Sequence, residues 1–174
     1  MTLQFVPFNE HPEYAGEKMQ AYLRDHHIDD VIKIAKISPD QANGGQVAKA
    51  ANIDPAKELN CLVLTGKGHG VVKYAAVLVP FQKKINTGSV LKHAMEVHRE
   101  SFADLKWVTK VTDMEYGSIG PVGLPEDWKL LIDSSIKDLD EVIFGSGRVD
   151  SKMLAPVSVF EKIPNVQYVD GLAK

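Results

Sequence analysis

"CLVLTGKGHGVVKYAAVLVP", residues 61–80, decides how the rest of the chain is read. Apolar and β-branched residues flank a glycine-rich turn from Gly66 to Gly70, which is the pattern of two strands joined as a β-hairpin. The same glycines and Lys67 suggest a phosphate-binding loop at first sight. The GxxxxGK[ST] order is absent, however, and the glycines lie between two strands rather than at a strand-to-helix turn. A hairpin in the core argues against regular alternation of strand and helix.

The flanking segments follow that lead. Upstream, Ala15, Met19, Tyr22 and Leu23 share one face of an amphipathic helix over Pro12–His26. "VIKIAKI" (31–37) alternates as a strand does. Asp40 is placed to cap a helix carrying Val47, Ala48 and Ala51, and Asp54 is placed as an N-cap with Pro55 at the first helical position. Downstream, Thr87 is expected to cap a helix with Val90, Leu91, Ala94, Met95 and Val97 as its buried stripe. "DLKWV" (104–108) reads as a short strand and "TKVTDMEY" (109–116) as a turn or two of helix. "WKLLID" (128–133) and "DEVIFGSG" (140–147) are strands separated by the turn "SSIKDL" (134–139). "KMLAP" (152–156), a short helix from Pro156 and "VQYV" (166–169) complete the chain. There is no repeat, low-complexity tract or linker. This order predicts an α+β fold, a mixed and largely antiparallel sheet with helices packed around it.

With 174 residues, 44% hydrophobic and 25% charged, the composition is that of a globular protein, and one domain over 1–174 is expected. The N-terminal stretch lacks the basic and apolar regions of a secretory signal, and no apolar run is long enough to span a bilayer. A cytoplasmic protein with no membrane partner is the expectation. Cys61 is the only cysteine, which excludes an internal disulfide and a cysteine-based zinc site, and suggests a small buried hydrophobe. A formal charge of −3 argues against a protein that grips long stretches of DNA or RNA, while a contact with a nucleic-acid end stays open.

Familiar chemical motifs are mostly missing. His93 and His98 are five apart, off a common helical face, and no carboxylate completes a metal set, so they read as surface residues. His26 and His27 close the first helix, where imidazolium suits the C-terminal dipole. Ser146, in "GSG", lacks the GxSxG spacing, and no triad assembles. "YGSIGPVGLP" (116–125) is different. Gly117, Gly120, Pro121, Gly123 and Pro125 make it too irregular for a helix or strand interior. From the residues alone it is either a turn or the wall of a site whose backbone N–H groups approach a ligand.

"GSIGPVGLP" (117–125), followed by "LLID" (130–133) and "DEVIFGSGR" (140–148), resembles the aminoacyl-tRNA deacylase family. This is the YbaK type, related to the editing domain inserted in bacterial prolyl-tRNA synthetases. "GGQVAKAANIDPAKELNCLVL" (44–64) is similar to the family's helix, short helix and strand, so the resemblance runs from about residue 40 to the end. It implies a single YbaK-like domain, a mostly antiparallel, curved, barrel-like sheet surrounded by helices. It also implies hydrolysis of the ester between a wrongly attached amino acid and the terminal ribose of tRNA, with no metal or organic cofactor. Gly117, Ser118, Ile119, Gly120 and Pro121 would cradle the aminoacyl end, helped by Gly123, Gly145 and Gly147. Asn60, Ser118 and Asp133 would be the catalytic candidates, Asp133 by anchoring the loop or orienting a polar group.

The sequence departs from the family at one telling position. The family lysine that opens the hairpin strand is Asn60 here, which supplies no fixed positive charge, and Lys57 or Lys73 would have to compensate. "VTDMEYGS" also lacks the family's threonine-glycine step. Three expectations follow. The first is a trans-editing hydrolase acting on the acceptor end of mischarged aminoacyl-tRNA, leaning on a synthetase or elongation factor for affinity. The second is a catalytically impaired relative that binds aminoacyl-tRNA, a nucleotide-like ligand or a protein partner in the same pocket. An interaction domain with a purely structural loop is the third.

Overall fold

The computed structural model describes residues 2–42 and 44–174. In chain order its elements are β1 (Val6–Pro7), α1 (Glu17–Asp25), β2 (Lys33–Lys36), α2 (Gln46–Ala50), β3 (Leu59–Gly68) and β4 (Val71–Pro80). They continue with α3 (Ser89–Met95), β5 (Arg99–Phe102), α4 (Leu105–Thr112), β6 (Lys129–Asp133), β7 (Glu141–Gly145), β8 (Ser151–Pro156) and β9 (Val166–Val169). The fold is α+β. A four-stranded sheet in the order β1-β2-β8-β7 is antiparallel throughout. A five-stranded sheet in the order β5-β3-β4-β6-β9 is antiparallel across β5-β3-β4 and parallel across β4-β6-β9. A parallel bridge from Glu58 to Ile143 joins the two sheets where β3 begins and β7 runs past it.

The hairpin is longer, and its turn tighter, than the sequence suggests. β3 pairs with β4 from Leu59–Pro80 to Gly68–Val71, leaving only His69 and Gly70 between the strands. Both have positive φ, 52° and 78°, as a two-residue turn matched to strand twist requires. Gly66 and Gly68 belong to β3 itself. A Cβ on them would meet Arg99 O at 2.4 Å and Glu96 O at 2.1 Å, so these glycines let the segment entering β5 lie against the strand.

Both faces of the hairpin are covered, which is why β4 reads as a nearly unbroken apolar run. Leu59, Val63, Ala76 and Leu78 face the main core with Phe144, Met153 and Phe160. Leu64, Ala75, Val77 and Val79 pack against Leu91, Ala94 and Met95 of α3. A smaller cluster of Ile37, Ala42, Val47, Ala48, Ile143 and Leu154 lies under α2.

Several local expectations are corrected. "DLKWV" is helix, the opening of α4, because the Asp104 side chain accepts from Lys106 N at 3.1 Å as an N-cap. The helical spacing then buries Val108 and Thr112 and sets Trp107 and Val111 on the core, and tertiary packing overrides the strand preference of Trp and Val. The strand expected there lies just upstream as β5, whose "RESF" is a polar edge. Ser38, not Asp40, makes the capping box, with Gln41, on a short 3-10 turn, and Gly45 and Gly88 rather than Asp40 and Thr87 precede α2 and α3. The first helix begins at Glu17, because Pro12–Tyr14 forms a separate 3-10 turn and Gly16 is extended. Among the described residues no helix is long and apolar enough to cross a membrane.

Candidate active site

The loop at 116–121 lies backbone against backbone on the end of β7. A Cβ on Gly120 would sit 1.9 Å from Gly145 O, and one on Gly145 would sit 2.6 Å from Ser118 O and 2.8 Å from Ile119 O. No side chain fits between them, so glycine at both positions is a packing requirement. Hydrogen bonds fasten the same contact. Gly147 N donates to Ser118 O at 2.8 Å, Glu115 N to Gly147 O at 2.7 Å and Ser118 N to Glu115 O at 3.0 Å. Ser118 Oγ donates to Arg148 O at 2.6 Å, and Val149 N to the Glu115 carboxylate at 2.9 Å. An irregular loop is thereby held as a fixed wall.

In front of that wall is a cleft of about 450 Å³. Its far side is the start of β3, from Leu59 to Leu62, its rim carries Pro39, Ala42 and Leu105, and Tyr116, Gly117 and Ile119 line the near side with Gly145 and Lys152. Among the described residues, the N–H groups of Gly117 and Ile119 donate to no protein acceptor. Two free backbone donors on a rigid wall can hold a carbonyl oxygen as negative charge develops on it.

The candidate residues separate by position. Asn60, Gly117, Ile119 and Gly145 line the cleft. Ser118 is buried behind the wall with its proton committed to Arg148 O, and Gly120 and Pro121 are buried supports. Gly123 and Gly147 line a smaller, 240 Å³ pocket with Met19 and Met114. Among the described residues, Asp133 makes no hydrogen bond to the loop and does not line the cleft. Its carboxylate caps the 3-10 turn at Ser134–Asp138, accepting from Ser135 N and Oγ, and accepts from Ala173 N at 2.9 Å, clamping the C-terminal segment.

Neither lysine expected to compensate for Asn60 lines the cleft. Lys57 pairs with Asp140 at 2.9 Å. Lys73 reaches Glu96 O at 3.3 Å beside a different groove. The lysine that does line the cleft is Lys152, which sequence reasoning passed over as the first residue of "KMLAP". β8 alternates, sending Met153 and Ala155 into the main core and Leu154 into the cluster under α2, so the pleat turns Lys152 to that second side. The one signal in the sequence was a charged residue at an inward position of an apolar strand. Lys152 is 5% exposed, and among the described residues its side chain makes no hydrogen bond or ion pair. Burial holds its pKa below the ordinary lysine range, and the charge of Glu58 works against that shift. The Glu58 carboxylate is occupied elsewhere, accepting from Gly45 N at 2.9 Å and Ala48 N at 2.8 Å.

A lysine whose folded pKa is depressed is more protonated in the unfolded chain, so stability rises with pH from its folded value toward the unfolded one, about 10.4. Lys152→Met removes that slope. Glu58 remains in both proteins, so the melting temperature of the variant minus that of the natural protein should shrink between pH 7 and pH 10, as measured by thermal unfolding.

Cys61 also lines the cleft, but burial pushes its thiol up to about 12, which leaves it neutral and a poor nucleophile. Iodoacetamide should label the folded protein more slowly than the urea-unfolded chain, read by intact mass. No group of three His, Cys, Asp or Glu side chains able to hold a metal occurs among the described residues.

Comparison with known proteins gives the family and the fold of the chain. The sequence model of the aminoacyl-tRNA editing domain matches residues 38–161. A proline–tRNA ligase of Lactobacillus helveticus is 34% identical over 154 residues, covering 83% of this chain and 26% of the ligase. That of Lysinibacillus sphaericus is 28% identical over 145 residues, covering 81% and 25%. The chain thus spans about a quarter of each ligase's length. Among solved structures, a protein described as a candidate trans-editing enzyme for prolyl tRNA synthetase superposes with a TM-score of 0.72 at 16% identity, over 87% of this chain and 94% of that one. A hypothetical protein superposes equally well, with a TM-score of 0.72 at 19% identity, over 88% and 99%. The fold is the one those two structures share, and the match over 38–161 places this chain in the aminoacyl-tRNA editing domain family.

Proposed function

We propose that the chain is a trans-editing hydrolase that removes a wrongly attached amino acid from the acceptor end of a tRNA. The observation that carries this reading is the pair of unoccupied N–H donors, Gly117 and Ile119, on a wall too tightly packed to yield. An aminoacyl ester is already activated. Positioning water beside it and supplying donors to its carbonyl oxygen accounts for most of what catalysis requires. Asn60, exposed at the opposite side of the cleft, can donate to and accept from the terminal ribose or the amino acid. Tyr116 at the mouth is 70% exposed and offers a face on which a terminal base can stack.

The work falls to the protein's own donors, with no metal or organic cofactor. Its net charge of −3 suits a contact confined to the acceptor end, with a synthetase as the partner that holds the rest of the tRNA. Such an enzyme acts in the cytoplasm, and one domain over 1–174 is sufficient for it.

Titration with a non-hydrolysable aminoacyl-amide of adenosine, followed by amide NMR, tests the placement. The Gly117 and Ile119 resonances should move first and furthest. Shifts confined to the groove around His69 and His98 would contradict it.

A further inference from the structure

We propose that Lys152 is the charged donor of this cleft, its ammonium bonding the carbonyl oxygen of the aminoacyl ester alongside Gly117 and Ile119. The inference rests on the hydrolase reading and adds a residue to it. β8 lies between β2 and β7, pairing Lys152 with Ala35 on one side and Gly145 on the other. Its side chain is therefore directed by the pleat of an interior strand, and Gly145, its neighbour across the pair, is the residue on which the loop wall rests. An ammonium carries three donors and no acceptor. Here the residue is 5% exposed, its Nζ has no protein acceptor among the described residues yet is not wholly closed off from solvent, and the carboxylate that could have neutralised it accepts from Gly45 N and Ala48 N instead. A largely desolvated charge left without a protein partner works against folding. It is most simply explained by an oxygen-bearing ligand that enters the cleft and completes it.

In the step assigned to it, water adds to the ester carbonyl carbon and forms a new C–O bond while the carbonyl π electrons move onto oxygen. That oxyanion is held by Lys152 Nζ and the two N–H groups. Collapse of the tetrahedral species breaks the bond to the ribose oxygen, which takes one proton of the attacking water. The second proton leaves with the amino acid's carboxyl group. Lys152 keeps all three of its protons throughout.

The test uses the full chain as the natural protein, Lys152→Met and Lys152→Gln, with single-turnover deacylation of mischarged tRNAs and thermal unfolding measured together. The expectation is a rate lowered about 100- to 1000-fold in both variants, with the half-saturating concentration little changed and the melting temperature equal to or above that of the natural protein. A lost rate with gained stability is a signature that a structural lysine would not give. Rates within fivefold of the natural protein would overturn the assignment while leaving the hydrolase reading intact. A melting temperature lowered by several degrees in both variants would also overturn it, by making the ammonium a structural counter-charge to Glu58. If the natural protein hydrolyses no ester, the hydrolase reading fails and the role of Lys152 fails with it.

Discussion

Gly120→Ala is expected to destabilise the protein by about 3 kcal/mol, the upper part of the range for forcing a methyl group into a filled interior. For a chain of this size that corresponds to a fall of about 6–12 °C in melting temperature. The new Cβ would lie 1.9 Å from Gly145 O, a backbone atom of β7 that cannot rotate away. Relief requires the loop to lift from the strand, which stretches the Gly147 N to Ser118 O bond and moves Gly117 and Ile119 out of the cleft wall. Deacylation should fall with stability, and more steeply. Gly117→Ala is the control three residues away. Its Cβ would meet nothing within 4 Å, and only the backbone at φ +87° is strained, which costs about 1 kcal/mol. Denaturant unfolding of the two variants separates close approach from backbone strain. Equal losses would contradict the packing described for the wall.

Glu58→Ala should have a comparable effect for a different reason. The carboxylate is 2% exposed and accepts from Gly45 N and Ala48 N. Its removal strands two buried donors at roughly 1–3 kcal/mol each, about 3 kcal/mol together if water reaches one of them. It also removes the charge that favours the protonated form of Lys152, so the folded lysine should titrate at lower pH still. Glu58→Gln keeps one acceptor oxygen and should lose about half as much stability. Adding Lys152→Met to Glu58→Ala should recover part of the loss, because an ammonium with no carboxylate nearby no longer has to be buried. A double-mutant cycle by urea unfolding measures that coupling, and strict additivity would mean that the two groups do not sense each other.

The sequence carried the class of fold, because the hairpin, "WKLLID", "DEVIFGSG" and "VQYV" each combine strand composition with clear turn punctuation. It carried less of the pairing. Nothing in "WKLLID" announces that β6 runs parallel to β4, since both are buried on two faces and show no alternation from which direction could be argued. The Asp104 cap was visible, but Trp107 and Val108 favour strands in isolation, and only the packing of α4 decides between them. Within the cleft, the loop and Asn60 were legible from their order along the chain. Ser118 and Asp133 could be located but not oriented, because the direction of one hydroxyl or carboxylate depends on contacts from distant segments, Arg148 for the first and Ala173 for the second. Lys152 was the least legible. It lies 92 residues from Asn60 in the chain, and a lysine opening a strand reads as solvent-facing until the strand is known to be interior.

The most direct test is single-turnover deacylation by the natural protein across a panel of mischarged tRNAs, beginning with alanyl-tRNA carrying the proline acceptor. Hydrolysis of at least one ester, well above the spontaneous rate and lost in Gly120→Ala, is the expected result. Tight binding of the same aminoacyl-tRNAs by folded protein with no acceleration of hydrolysis for any of them would contradict it, and would leave the cleft a binding site only.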